Sequence, residues 1–320
     1  LFLVAMTEKR SHVLITGGAG DIGSILTEHL LDAGYRVTVL DNLHFQQRSL
    51  FHIAAHPAFD FVFGDARDEA LVKELLQDSD AIIPLVALVG APACKQDPVL
   101  ARSLNLDAVR LLMRLKSPSQ VVVFPATDSS YGSQPGIICT EDTPLAPLSL
   151  YAETKVEAER DVLSSPNGIS LRLATVFGAS PRMRLDLLVN HFVHTAVTDG
   201  ALVVFEKDFR RQFVHVRDAA DAFCFAIENA GRMAGRAHNV GRDDSNVSKG
   251  DLALRIKEHV PNLLLHFADS GKDPEGRNFV VSHARLAGLG FEATRTIDSG
   301  IRELIKAYRM MRGHGLNRNA

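Results

Sequence analysis

The chain has 320 residues, enough for one large α/β unit with a smaller lobe, and its 46% hydrophobic content is that of a packed globular protein. Its 35 Lys and Arg nearly balance 38 Asp and Glu, for a net charge of −3, which argues against a nucleic-acid surface and an acidic-membrane surface. Three widely spaced cysteines, Cys94, Cys139 and Cys224, offer neither a disulfide framework nor a zinc site, and no apolar run reaches transmembrane length. A soluble cytoplasmic protein is expected. The opening LFLVAM is too short for a signal-peptide core and lacks a basic start, which makes Met6 the candidate native start and residues 1–5 foreign to it.

The first element, His12–Thr16, has strand length and strand composition, and opens directly into Gly17, Gly20 and Gly23. A helix pattern runs from Asp21 to Ala33, with Ile22, Ile25, Leu26, Leu30 and Leu31 at helical spacing. At this spacing Gly17 allows a tight turn, Gly20 lets the backbone approach a pyrophosphate, and Gly23 lets helix and strand pack closely. The helix N-terminus, at Asp21 and Ile22, offers unpaired N–H groups and a positive dipole end to phosphates. A second strand, Arg36–Leu40, ends at Asp41, roughly 20 residues past the glycines, where an acidic side chain binds the adenosine ribose. A carboxylate there accepts from both ribose hydroxyls and repels a 2′-phosphate, so NAD is expected rather than NADP.

Strand-like runs recur at Asp60–Phe63, Ala81–Leu85, Gln120–Pro125 and Ser170–Ala174, separated by helical patterns that include Pro98–Lys116 and Tyr151–Leu163. Strands alternating with helices predict an α/β fold, a Rossmann-type doubly wound parallel sheet. From about Gly178 the pattern turns irregular, with short elements at Leu185–Asp199, Ala201–Phe205, Asp218–Ala230 and Lys249–His259. Residues 6–177 are therefore expected to form the NAD-binding domain. Residues 178–320 mainly form a smaller α/β substrate lobe over the carboxyl edge of the sheet, with 210–235 returning to the main body through Phe213–Val216. No internal repeat or low-complexity linker interrupts the chain.

Tyr151 and Lys155 form a Tyr-x-x-x-Lys pair at the start of a predicted helix, where positions four apart share a face. A tyrosine hydroxyl titrates near 10 in water, too high for a base at neutral pH. A lysine cation nearby favours the phenolate and lowers that value. The tyrosine then serves as general acid/base toward a sugar hydroxyl while a nicotinamide takes the hydride.

With TGGAGDIG, Asp41 in LDNL, GDARD at 64–68, Tyr131-Gly132, YAETK at 151–155 and RRQFVHVRD at 210–218, the chain resembles the extended short-chain dehydrogenase/reductases of the nucleotide-sugar epimerase/dehydratase family. The resemblance runs nearly end to end. It implies a Thr127/Tyr151/Lys155 triad, with Thr127 bonded to the reacting sugar hydroxyl. It extends the cofactor site to Asn42, Asp65, Ala66, Leu85, Val86 and Ala87, and gives Asn105 a structural role. It makes Arg211 and Arg277 clamps for the diphosphate of a nucleotide-diphosphate sugar, since guanidinium grips such groups through paired hydrogen bonds. It places Asp128, Ser129, Arg184 and Asn190 beside the substrate. A homodimer across Pro98–Lys116 and Tyr151–Leu163 is implied by the same analogy.

Departures from the family pattern narrow the chemistry. Dehydratases of the family carry Thr-Asp-Glu at the active-site turn, whereas the turn here reads Thr127-Asp128-Ser129. Elimination of water needs an acid and a base, so a 4,6-dehydratase is disfavoured and Asp128 is left to orient substrate or cap the turn. Thr175 replaces the asparagine usual in its segment. The stretches IIPLVALVGAPACK, FPATDSSYG and RLATVFGASPRMRLDLLVN resemble the bacterial GDP-manno-heptose 4-dehydrogenase group, which implies hydride abstraction at C4. A non-catalytic dinucleotide-binding sensor is the alternative from another class, and the intact Tyr-Lys pair speaks against it.

Overall fold

A computed structural model describes residues 11–269 and 278–311. The chain begins with β1 (His12–Thr16), α1 (Asp21–Asp32), β2 (Arg36–Asp41), β3 (Phe59–Phe63), α2 (Glu69–Leu76) and β4 (Ala81–Pro84). Then follow α3 (Ala91–Gln96), α4 (Pro98–Arg102), a π-helical turn at Ser103–Asp107, α5 (Ala108–Leu115), β5 (Val121–Thr127) and a 3-10 turn at Asp128–Tyr131. The middle of the chain forms β6 (Ile138–Cys139), α6 (Leu150–Leu163), β7 (Gly168–Leu173), β8 (Thr175–Phe177), α7 (Leu188–Thr198), β9 (Ala201–Phe205), β10 (Arg210–Arg211), β11 (Phe213–His215) and α8 (Val216–Glu228). The last elements are α9 (Ala230–Met233), β12 (Arg236–Val240), β13 (Val247–Ser248), α10 (Lys249–His259), β14 (Leu264–Ala268), β15 (Val280–Val281), α11 (Ala284–Ala287) and α12 (Ile297–Met311).

Seven strands form one parallel sheet in the order β12-β7-β5-β4-β1-β2-β3. Alternation along the strands sends side chains to opposite faces. Val13 and Ile15 of β1 join α1 and α8 in one core, and Leu14 joins α2, α5 and α6 in another. Helices on both faces explain why the central strands read as nearly unbroken apolar runs. The strand order reverses between β1 and β4, which opens a crevice at their carboxyl ends, the place where ligands bind in such sheets.

A separate core joins α7, β9, α10 and α12. The parallel pair β8·β11 leads from the sheet into this lobe and back to α8 on the sheet's face. Beyond the 210–235 stretch expected to return, β12 also joins the main sheet beside β7, and Leu286 of α11 packs into its core. Among the described residues no helix is long and apolar enough to cross a membrane, and no group of His, Cys, Asp and Glu is arranged to hold a metal ion.

Candidate active site

The glycines at the end of β1 do separate jobs. Gly17 has φ +78, and a Cβ there would lie 2.6 Å from the backbone nitrogen of Val86. Gly23 packs against a loop glycine rather than a strand residue: its Cβ would meet the carbonyl oxygen of Gly18 at 2.5 Å. Gly18 in turn faces Val39 of β2, so the close approach of helix to sheet runs through this glycine pair. A Cβ at Gly20 would meet only the Gly17 carbonyl oxygen, at 3.3 Å, which leaves open space at the start of α1.

Asp41 ends β2 with its carboxyl buried and braces this loop. Its Oδ2 accepts from Ala19 N–H at 3.0 Å and its Oδ1 from Leu43 N–H at 2.8 Å. The Asn42 side chain accepts from His44 N–H and shapes the next turn. Asp65 is held by a two-pronged contact with Arg67, which keeps its carboxyl below the usual range, and Ala66 is buried in the core against α2. Past β4, Leu85 and Val86 both donate to the carbonyl of Thr16, at 2.8 and 3.0 Å. Leu88 is clamped by Asn105, which accepts from its N–H at 2.7 Å and donates to its carbonyl at 3.0 Å. Ala87 thus sits in a segment fixed at both ends. These residues ring the carboxyl ends of β1, β2 and β4, and the open glycine backbone and ribose-side carboxylate fit a dinucleotide.

The catalytic candidates come from β5 and α6, which pack together. Thr127 is the last residue of β5, two residues beyond the predicted strand end; its Oγ1 accepts from Ser129 N–H and donates to Ser129 Oγ. Asp128 is buried and accepts from the Gln212 side chain. Ser149 caps α6, and Tyr151 and Lys155 follow one turn apart. Lys155 is buried, with Nζ 4.7 Å from the centre of the Phe124 ring, and burial lowers its pKa to about 7. The π-helical turn carries Asn105 toward this helix: its Nδ2 lies 3.4 Å from Thr154 Oγ1, and that hydroxyl donates to the Tyr151 carbonyl.

The other tyrosine of the family motif has a structural task. Tyr131 is fully buried, donates to Asn239 Oδ1 at 2.7 Å, accepts from Arg172 at 3.0 Å, and is pushed up to about 12 by burial. It stays a neutral phenol.

On the substrate side, Arg184 reaches Asp186 through two nitrogens, and its guanidinium is within electrostatic range of both Asp21 and Tyr151. Arg211 is buried in β10. Asn190 differs from expectation. It is fully buried, and its amide is spent on the N–H and carbonyl of Gly178 and the carbonyl of Arg184, so it shapes the 178–184 loop instead of presenting a polar group to substrate. Arg277 lies outside the described residues. Sequence reasoning missed Gln212, the partner of Asp128, and Ser180, which bonds Asp21. Both contacts join residues far apart in the chain, and no local motif announces them.

Residues 13–241 match the model of the NAD dependent epimerase/dehydratase family. The chain belongs to this family. Within it, the chain is 30% identical over 241 residues to a UDP-glucose 4-epimerase of Lactobacillus helveticus, covering 68% of this chain and 72% of that one. It is 29% identical over 321 residues to a dTDP-glucose 4,6-dehydratase of Actinoplanes sp., covering 94% and 98%. Its fold matches the UDP-glucose 4-epimerase of Thermus thermophilus in complex with NAD, with a TM-score of 0.80, 25% identity, and coverage of 93% and 99%. It also matches the dTDP-glucose 4,6-dehydratase of Bacillus anthracis, with a TM-score of 0.81 at 22% identity, and coverage of 94% and 97%. The chain is thus an NAD-dependent enzyme of the epimerase/dehydratase kind.

Proposed function

We propose that this enzyme oxidises C4 of a nucleotide-diphosphate hexose or heptose. Tyr151 takes the proton of the C4 hydroxyl, Thr127 steadies that hydroxyl through a hydrogen bond, and Lys155 tunes Tyr151 and holds the nicotinamide ribose. NAD, when bound, supplies the hydride acceptor. The glycine loop, Asp41 and the 85–88 segment hold the dinucleotide. The product is a 4-keto sugar, or the 4-epimer if the intermediate turns and is reduced from its other face. The observation that carries this reading is the Tyr151/Lys155 pair on α6, with the lysine buried against β5 and Thr127 at that strand's end.

The relatives divide between 4-epimerases and 4,6-dehydratases. Ser129 favours the former, because it supplies no carboxylate for a second proton transfer. The stretches that resemble the GDP-manno-heptose 4-dehydrogenase group point to hydride abstraction at C4, with a GDP-heptose as one candidate substrate; release of the 4-keto sugar and 4-epimerisation both follow from that step. Arg211 and Arg277 are assigned to the substrate diphosphate, and Arg184 to the sugar end. The helical stretches 98–116 and 151–163, whose outer sides are tied by Arg110 with Glu157 and Asp161, carry the proposed homodimer face; a monomer in light scattering refutes it.

The test is product mass after incubation with NAD and a panel of GDP-, ADP-, UDP- and dTDP-activated hexoses and heptoses. Loss of two hydrogens marks a dehydrogenase, and unchanged mass with a new chromatographic peak marks an epimerase. Loss of water overturns the reading of the 127–129 turn. Removing an acid/base group costs about 10²–10⁴ in turnover, so Tyr151→Phe is expected to lose that much with the fold intact. Near-normal turnover in that variant ends the assignment.

A further inference from the structure

The segment 178–186 lies against the substrate lobe and the cofactor side at once. From its own lobe, Asn190 holds Gly178 and the Arg184 carbonyl, while Glu303 of α12 accepts from Ala179 N–H at 3.1 Å. Two contacts cross to the cofactor side. Ser180 Oγ donates to Asp21 Oδ1 at 2.6 Å, and the Arg182 guanidinium stacks 4.6 Å from the centre of the Phe45 ring. Asp21 starts the phosphate-facing helix α1, and Phe45 follows the ribose-side Asp41. The segment therefore touches both limbs of the dinucleotide crevice.

We propose that Asp21 and Ser180 are positioning residues whose hydrogen bond ties the 178–186 segment across the dinucleotide site and so keeps Arg184 within electrostatic range of Tyr151. The proposal rests on the acid/base role given above to Tyr151. Asp21 is the acidic member of TGGAGDIG, yet its carboxyl turns from the phosphate-facing helix end to the opposite lobe. Arg182, Arg184 and Asp186 of the segment and Tyr308 of α12 are the charged and titratable groups in its field. A short hydrogen bond to an ionised acceptor is stronger than a neutral one, and it is the tie nearest the α1 N-terminus. Arg184 stays cationic at any working pH. It adds to the field of Lys155, whose own charge is weakened by burial. A cation near the phenol favours phenolate, so a loosened segment raises the pH at which Tyr151 ionises.

The variants Ser180→Ala, Asp21→Ala and Asp21→Asn are compared with wild type by three readouts, none of which needs a known sugar. Limited trypsin digestion reports segment opening, because Arg182 and Arg184 are themselves cleavage sites. NAD release after rapid dilution reports closure over the cofactor. Phenolate absorbance reports Tyr151: the chain has no tryptophan, and burial pushes Tyr35, Tyr131 and Tyr308 all upward. The part of the signal lost in Tyr151→Phe belongs to Tyr151.

Loss of a hydrogen bond to a charged group corresponds to about tenfold in an opening equilibrium. The two alanine variants are therefore expected to be cut, and to release NAD, about tenfold faster, with Tyr151 titrating at higher pH. Asp21→Asn keeps an acceptor oxygen but loses the charge, and is expected to fall between wild type and the alanine variants. Digestion and release unchanged in both alanine variants overturn the tie. Faster digestion with an unmoved Tyr151 titration overturns the role given to Arg184. If Tyr151→Phe removes no signal from the physiological range, the acid/base reading itself fails, and the digestion arm still judges the tie.

Discussion

Lys155 and Asp21 are held where their charged forms are disfavoured, and opposite signs follow. Burial lowers Lys155 to about 7, far below its ordinary value. The unfolded chain then binds the extra proton between about 7 and the ordinary lysine range, so this group makes stability rise with pH through that window. Lys155→Met is expected to melt higher than wild type at pH 6, with the difference closing toward pH 10, while turnover is lost. Burial raises Asp21 to about 6. Here the folded chain binds the extra proton, so stability falls as pH rises from the ordinary aspartate range to about 6 and stays lowered above it. Asp21→Asn is expected to melt higher at pH 7.5 and to match wild type near pH 3.5. Thermal melts of both variants across pH check these signs; flat differences with pH refute the burial argument. Lys155 belongs to the proposed reaction centre and Asp21 to the tie beside it, and destabilised charges are common at such sites.

At the scale of elements, the helix predicted over Pro98–Lys116 is present, but a π-helical turn at 103–107 divides it. A π turn shifts the helical phase at one place only, and with a single turn of helix before it no break in the apolar spacing can be read from the sequence. The turn sets Asn105 against the backbone of Leu88. Removing that amide leaves the Leu88 N–H without its acceptor, at a cost of about 1–3 kcal/mol, while the Leu88 carbonyl keeps the Cys94 thiol. Asn105→Ala is expected to weaken NAD binding severalfold and to speed hydrogen exchange at Leu88; Asn105→Asp keeps the acceptor and repels the carbonyl, so it is expected to recover little. Unchanged exchange at Leu88 would refute the clamp. The strand β12 is the matching case of an illegible element. Its RAHNV carries His238 and Asn239 into the interior, where Asn239 bonds Tyr131, Glu141 and Ser282 from distant segments. Polar residues look like loop until their partners are known. The glycine loop and the Tyr-Lys pair were legible for the converse reason: their physical demands, close backbone approach and a shared helical face, are local.

Polar contacts join the cores on the sheet's two faces to the core of α7, β9, α10 and α12, and Asp218 makes several of them. It sits on α8, in the sheet's core, and is almost fully buried. Its carboxylate accepts from Thr294 N–H, from Arg295 N–H at 2.9 Å and from the Arg295 guanidinium at 2.6 Å. Arg295 lies two residues before α12, which contributes Ile297, Ile301, Leu304, Ile305 and Tyr308 to the core of the smaller lobe. The same guanidinium also reaches Asp221, which pairs with His29 of α1. Asp218→Ala removes the acceptor of two backbone N–H groups and one of the two carboxylates on the Arg295 guanidinium, while Asp221 keeps that cation paired. Asp218→Ala therefore weakens the joint. With the dinucleotide held at the glycine loop, as proposed, NAD would bind on the sheet's side of that joint and stabilise what it binds by about 2.7 kcal/mol at one hundred times its Kd. Wild type is expected to unfold in one transition that NAD shifts as a whole. In Asp218→Ala the transition is expected to split: the lobe of α7, α10 and α12 melts first and is indifferent to NAD, and the sheet melts later and moves with it. Calorimetry with and without NAD separates the two, and a single NAD-shifted transition in the variant would show that the lobes are coupled through the β8·β11 crossing instead.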